Sequence, residues 1–236
     1  KRYVGTEGLF SRKEHLEDVE VSPWTLPKDS SIIIGKNCKN PWVVSGPVGM
    51  SAMSYGALGE NAISAISHGL GAATGSWVHT GEGGLAPYHT IGEGDVIMQI
   101  GSGIFGVRNE DGTFSWEKFK EKASNPHLRC FEIKLAQGAK IRGGHVEGSK
   151  INEEIAEIRG VAPWKTVDSP NRHNQFHDLN SLFDFIDEMR NVGGKPVGIK
   201  IVMGGPDSAD DLAKLMQETG RGPDFVTVDG SEGGSG

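Results

Sequence analysis

Lys200 sits inside the apolar run Val197-Gly198-Ile199-Lys200-Ile201-Val202, where strand alternation puts it on the face opposite Ile199 and Ile201. An ammonium aimed into a packed interior needs an anionic partner or water. It can stabilise negative charge on a bound cofactor, or it can pair with a structural carboxylate. Glu82 lies between glycines in Thr80-Gly81-Glu82-Gly83-Gly84, with few side chains to shield it. It can project into a cavity as a hydrogen-bond acceptor or acid/base, or its glycine neighbours can serve only a tight turn. Gln137-Gly138-Ala139-Lys140-Ile141-Arg142-Gly143-Gly144 puts an amide donor, two cations and permissive backbone in one short loop. Such a loop suits a dicarboxylate or a phosphate, with a solvated basic loop as the plain alternative.

Other patterns carry less chemistry. Gly101-Ser102-Gly103-Ile104-Phe105-Gly106 matches G-x-G-x-x-G in form, but no clear helix and no placed acidic partner follow it, so a dinucleotide site is not expected. Ser231 lacks the G-x-S-x-G order of a nucleophile elbow. Its loop, Gly230 to Gly236, has the freedom to wrap a cofactor's phosphate. Of His79, His89, His145, His173 and His177, none forms a convincing helical H-x-x-x-H pair, and no metal site is expected.

These groups must be positioned by a scaffold, and strand and helix patterns alternate along the chain. Residues 1–40 mix charge, proline and aromatics and read as a leader that packs on the domain of residues 41–236, with Ser31 to Ile34 as one short strand. Strands are expected at Trp42 to Val48, Gly71 to Trp77, Val96 to Ile100, Phe131 to Leu135, Pro196 to Met203 and Phe225 to Asp229. Helices are expected at Gly59 to Leu70, Trp116 to Ala123, Ile151 to Arg159, Leu179 to Asn191 and Ser208 to Glu218, the last capped by Asp207 or Ser208. Alternation of this kind implies a parallel sheet with helical crossovers. Just beyond the apolar runs lie Ser51, Ser54, Thr80, Glu82, Gln99, Gln137, Lys140, Arg142, Lys200, Asp229 and Glu232, where a barrel gathers its catalytic groups.

Composition is consistent with this. The 236 residues, 36% of them hydrophobic, can bury one sizeable core. A net charge of −7 gives no electrostatic case for nucleic acid. Cys38 and Cys130 are far apart, match no metal or redox spacing and read as packing residues in a reducing, cytoplasmic setting. No apolar stretch approaches the roughly 20 residues needed to cross a bilayer. The 35 glycines, about twice the usual share, cluster after apolar runs, where strands turn into ligand-facing loops.

Taken in order, several segments resemble the flavin-binding synthase domain of the glutamate synthase family, and still more its stand-alone FMN-binding members. They include Met50-Ser51-Ala52-Met53-Ser54-Tyr55-Gly56, His79 to Gly84, Ser102 to Val107, Glu132-Ile133-Lys134-Leu135-Ala136-Gln137-Gly138-Ala139-Lys140, Ser169-Pro170-Asn171-Arg172-His173 and Asp229 to Gly236. The resemblance implies an α/β fold of (β/α)8 TIM-barrel type holding FMN. It implies that 2-oxoglutarate and ammonia combine to 2-iminoglutarate, which takes a hydride from reduced flavin to give L-glutamate. Gln137, Lys140 and Arg142 would bind substrate, Lys200 would sit by the flavin, and Glu82 would border the reacting carbon. Met53, Ser54, Gln99, Asp229, Gly230, Glu232, Gly233 and Gly234 would contact FMN.

The resemblance also sets bounds. No amidotransferase with a leading catalytic cysteine is visible, so ammonia is free or derived from glutamine elsewhere. Larger members carry an iron–sulfur cluster, whose ligands Cys38 and Cys130 do not match. About five or six strands are expected, short of the eight of a closed barrel, so the barrel is expected to be incomplete. The electron donor, ferredoxin or an NADPH-linked subunit, is left open. The competing expectations are an FMN barrel with a different substrate, and a catalytically incomplete subunit whose open edges pair with like or unlike chains.

Overall fold

The computed structural model describes residues 31–44, 46–73, 75–138 and 144–230. Lys140, Arg142, Glu232, Gly233 and Gly234, and the leader up to residue 30, lie outside them. The first described elements, β1 (Ile32–Ile34) and β2 (Trp42–Val44), pair antiparallel. Helix α1 (Glu60–Ala72), β3 (Trp77–His79) and β4 (Asp95–Ile100) follow, then α2 (Trp116–Ala123) and β5 (Leu128–Lys134). A small ribbon of β6 (His145–Val146) and β7 (Val167–Asp168) flanks α3 (Glu153–Arg159) in sequence. The last described elements are α4 (Leu179–Gly193), β8 (Val197–Ile201), α5 (Asp210–Thr219) and β9 (Val226–Val228).

Five strands form one all-parallel sheet in the order β3-β4-β5-β8-β9. That order never reverses, whereas an open doubly wound sheet has a switch point. With right-handed crossovers, a sheet that advances in one direction keeps its helices on one face. The other face is then covered by curling, and the sheet forms a half-barrel of the (β/α)8 type.

The two faces have different chemistry. On the helix side, Val96, Met98, Ile100, Phe131, Ile133, Val197 and Ile199 join Phe119, Phe183, Ile186 and Met189 in the main apolar core. On the other side, Ile97 and Cys130 meet Trp42 and Val44 of the hairpin, with Trp77 and Phe225 packed against them. The hairpin thus plugs the end where the strands begin, and the Trp42 indole N–H fixes it to the Asp95 carboxylate at 2.8 Å. Gly198 is required here, because a side chain at that position would overlap the Phe225 ring.

Several expectations are corrected. Trp42 to Val48 is not a strand of the parallel sheet; only Trp42–Val44 is a strand, and it belongs to the hairpin. Gly71 and Ala72 continue α1 rather than starting a strand, because the small residues let two backbones meet: a Cβ on Gly71 would overlap the Gly92 carbonyl. Helix α5 begins after Ala209, and neither Asp207 nor Ser208 caps it; the Ser208 hydroxyl accepts instead from the N–H groups of Gly204 and Gly205. Between β3 and β4 the connection carries two short 3₁₀ turns, Gly81–Gly83 and Pro87–His89, in place of an α-helix. Elsewhere the helix ends follow their residues: Ser115, Asn152 and Asp178 cap α2, α3 and α4, and Gly160, Gly194 and Gly220 close α3, α4 and α5 in the left-handed conformation.

Candidate active site

With their beginnings plugged, the strands carry polar side chains at the carboxyl ends of the same concave face. Alternation places Gln99 of β4, Glu132 and Lys134 of β5, and Lys200 of β8 there. Register brings them level, with Gln99 opposite Glu132, Lys134 opposite Lys200, and Lys200 opposite Thr227.

Glu132 is a buried hub. Its Oε1 accepts from Gln99 Nε2 at 2.6 Å and from His79 Nε2 at 3.1 Å, and its Oε2 accepts from the Thr227 hydroxyl at 2.5 Å. His79 Nδ1 accepts from the Gly81 N–H at 3.2 Å, which leaves the ring proton on Nε2 for Glu132. Burial alone would push the Glu132 carboxyl up, but its donors, led by His79, together outweigh burial and hold it at about 2. The hub joins four strands and keeps a negative charge beneath the site.

Above it, Lys134 Nζ donates to Glu82 Oε1 at 2.5 Å and to Gln137 Oε1 at 2.7 Å. The segment after β5 is pinned from β8 and β9. Leu135 and Ala136 N–H groups reach the Lys200 carbonyl, and Gly138 N–H donates to Asp229 Oδ2 at 3.1 Å. Lys200 Nζ lies 3.4 Å from the same Asp229 oxygen. Glu82 approaches because Gly101, at the end of β4, has no side chain; a Cβ there would overlap its carboxylate. Arg159 is buried nearby, donates to the Tyr55 carbonyl at 2.9 Å and lies over the Phe105 ring.

Glu82, Lys134 and Gln137 line a cavity of about 560 Å³, whose other wall is the segment from Pro170 to Leu182. His173 closes that wall. Its Nε2 bonds the Lys134 carbonyl at 2.9 Å and its ring stacks on Phe176 at 4.8 Å. Leu135, Phe176 and Leu182 give the cavity an apolar side.

Of the residues expected from sequence, Glu82 and Gln137 therefore meet on one cavity. Lys200 and Asp229 pair with each other beside it. Gln99 is buried and committed to Glu132, away from the cavity lining. Ser54 and Met53 pack against Gly81, where a Cβ would overlap both. Gly230 ends the described residues, and Lys140, Arg142, Glu232, Gly233 and Gly234 fall outside them. The G-x-G-x-x-G stretch is a loop with Ile104 and Gly106 at positive φ and no helix opening from it, and it does not have the dinucleotide geometry.

Sequence reasoning passed over Lys134, Glu132, His79, Thr227 and His173. The signal for the first two was present: in Cys130-Phe131-Glu132-Ile133-Lys134 the polar residues alternate with apolar ones, as Lys200 does in its strand. Thr227 shows the same alternation between Val226 and Val228, whereas His173 gave no such signal, since its role depends on which loop meets which strand.

Comparison with known proteins agrees with this architecture. Residues 6–236 match the family model described as the conserved region in glutamate synthase. The chain is 53% identical over 234 residues to the glutamate synthase large subunit-like protein YerD of Bacillus subtilis (strain 168), covering 99% of this chain and 45% of that protein. It is 31% identical over 194 residues to the archaeal-type glutamate synthase [NADPH] of Thermotoga maritima, covering 80% of this chain and 34% of that protein. The glutamate synthase [NADPH] large chain of Bacillus subtilis is 29% identical over 195 residues, which is 12% of its length. The chain thus spans less than half the length of these relatives, and within that span it belongs to the glutamate synthase family.

Proposed function

We propose that this chain forms part of an FMN-binding barrel that reductively aminates 2-oxoglutarate to L-glutamate through 2-iminoglutarate. One observation carries the proposal: the Lys134 ammonium is held between Glu82 and Gln137 at the carboxyl ends of the strands, on the wall of a cavity large enough for a small ligand. Family membership supports an oxidoreductase of the glutamate synthase type.

The residues present fit a flavin in kind. A flavin ring asks for an apolar wall and for a cation near its pyrimidine edge. Leu135, Phe176 and Leu182 offer the first, and Lys200, in register beside Lys134, offers the second. Lys200 would hold the pyrimidine edge, with Met53, Ser54 and Gly230 as further contacts and with Lys140, Arg142, Glu232, Gly233 and Gly234 completing the substrate and phosphate grip. Bound there, FMN supplies the hydride.

The protein's part is orientation and proton handling. Gln137 gives its carbonyl oxygen to Lys134, so its N–H pair is directed to a substrate carboxylate. Condensation of ammonia with a 2-oxo acid expels water, and the departing oxygen needs a proton. The Lys134 ammonium, backed by the Glu82 carboxylate at 2.5 Å, can deliver that proton and regain it. Asp229 fixes Lys200 and the Gly138 backbone together, so the cofactor cation and the substrate loop move as one unit. Ammonia is free or derived from glutamine by another protein, and the electron donor is ferredoxin or an NADPH-linked partner. The free thiols Cys38 and Cys130 suit a cytoplasmic setting.

Titration of FMN with the natural full-length protein tests the cofactor assignment. Saturable quenching of flavin fluorescence is expected, weakened by about tenfold or more in Lys200→Met, the scale of one lost charge-assisted contact. Absence of quenching, or identical affinity in the variant, contradicts it.

A further inference from the structure

We propose that Arg172 reads the far anionic group of the substrate and makes the site selective for 2-oxo acids with two carboxylates. The inference deepens the function proposed above and rests on it.

Arg172 lines the same cavity as Gln137 and is exposed at its edge. Among the described residues the other cations near the site are engaged: Lys134 with Glu82 at 2.5 Å, Lys200 with Asp229 at 3.4 Å, and Arg159 with the Tyr55 carbonyl. Among the described residues no carboxylate lies within ion-pairing distance of Arg172. The nearest acidic lining residue in sequence, Asp178, spends its carboxylate on capping α4, accepting from the Ser181 N–H at 2.7 Å and hydroxyl at 2.6 Å. The cavity therefore offers one cation whose charge is not matched from within the described protein.

The backbone that carries that cation is held in place. On one side of it the Ser102 hydroxyl donates to the Pro170 carbonyl, tying the segment to the loop after β4. On the other, buried His173 is bonded to the Lys134 carbonyl at 2.9 Å. Arg172 thus rides on a short turn anchored at both ends, and less conformational freedom is lost when a ligand engages it. A guanidinium presents two parallel N–H donors that match a carboxylate, a geometry that an ammonium does not reproduce. With the Gln137 amide on the same cavity, a short dicarboxylate can find a donor group for each of its ends. A monocarboxylate would satisfy only one.

The test uses the natural full-length protein and unreactive probes. Calorimetric titration with glutarate and with butyrate is compared in the wild type, Arg172→Lys and Arg172→Gln, with melting temperature as a control for folding. Glutarate affinity is expected to fall about tenfold or more in Arg172→Gln and less in Arg172→Lys, while butyrate is unaffected. In turnover, KM for 2-oxoglutarate should rise with kcat little changed, since the contact holds ground state and transition state alike. Equal glutarate binding by wild type and Arg172→Gln overturns the assignment of Arg172 and leaves the proposed function standing. If the wild type binds neither glutarate nor 2-oxoglutarate, the proposed function falls and the assignment with it.

Discussion

Lys134, Glu82 and Gln137 act as one unit, and the residue that permits the unit is a glycine. Gly101 is part of a motif that in isolation suggests a nucleotide, yet its use here is steric: it lets the Glu82 carboxylate approach the end of β4. In Gly101→Ala the added methyl meets the Glu82 carboxylate and crowds the Glu82 Cβ, so the turn gives slightly and the carboxylate swings away from Lys134 while the fold is expected to survive. Turnover should fall by about a hundredfold, the lower end of the range for a positioned proton-transfer group, with only a modest fall in melting temperature. Wild-type turnover in Gly101→Ala would show that the Glu82–Lys134 contact is not used. At this scale the sequence was partly legible. Glu82, Gln137 and Lys200 stood out because charge or amide sat among glycines or inside an apolar strand. Lys134 lay in the same kind of pattern, but the cations of the following loop drew the reading away from it.

Among the elements, the long helices and the strands β4, β5, β8 and β9 were legible because their periods and caps agree with each other. The hairpin was not. An apolar run such as Trp42-Val43-Val44 reads alike as a buried parallel strand or as half of a plug, and only its antiparallel register with Ile32–Ile34 decides. The turn between β3 and β4 was hidden for a related reason, since it is held by tertiary contacts. The Ser67 hydroxyl of α1 donates to the His89 carbonyl at 3.0 Å and accepts from the Gly92 N–H at 3.0 Å. His89 Nδ1 accepts from the Ala86 N–H at 3.0 Å within that turn, and burial, with a smaller push from His79, lowers the ring from 6.5 to about 4. The neutral ring is therefore favoured in the folded protein. Its contribution to stability is fully present above pH 6.5 and is lost as pH falls from 6.5 toward 4, by up to about 3 kcal/mol. Burial lowers His173 as well, which adds a loss of the same sign. Urea unfolding across this range should show stability falling toward low pH, with a visibly shallower slope in His89→Gln. Equal slopes in the two proteins would place the pH dependence elsewhere.

Over the whole molecule, a strand order that never reverses, a plugged amino end and a polar carboxyl end together define one working face. A parallel sheet with helical crossovers was readable from alternation and the (β/α)8 type from the family resemblance, whereas which loops meet above the sheet was set by contacts far apart in sequence, such as His173 on Lys134 and Asp229 on Gly138. Relatives more than twice as long share this segment, and the proposed activity is one to test on the natural protein. The most direct measurement is therefore anaerobic mixing of that protein, loaded with reduced FMN, with 2-oxoglutarate and ammonium, following flavin reoxidation and glutamate together in wild type and Lys134→Met. Reoxidation that requires both reactants, yields glutamate in step and slows by about a hundredfold or more in Lys134→Met is the predicted result. Reoxidation without glutamate, or a variant as fast as the wild type, would contradict the account.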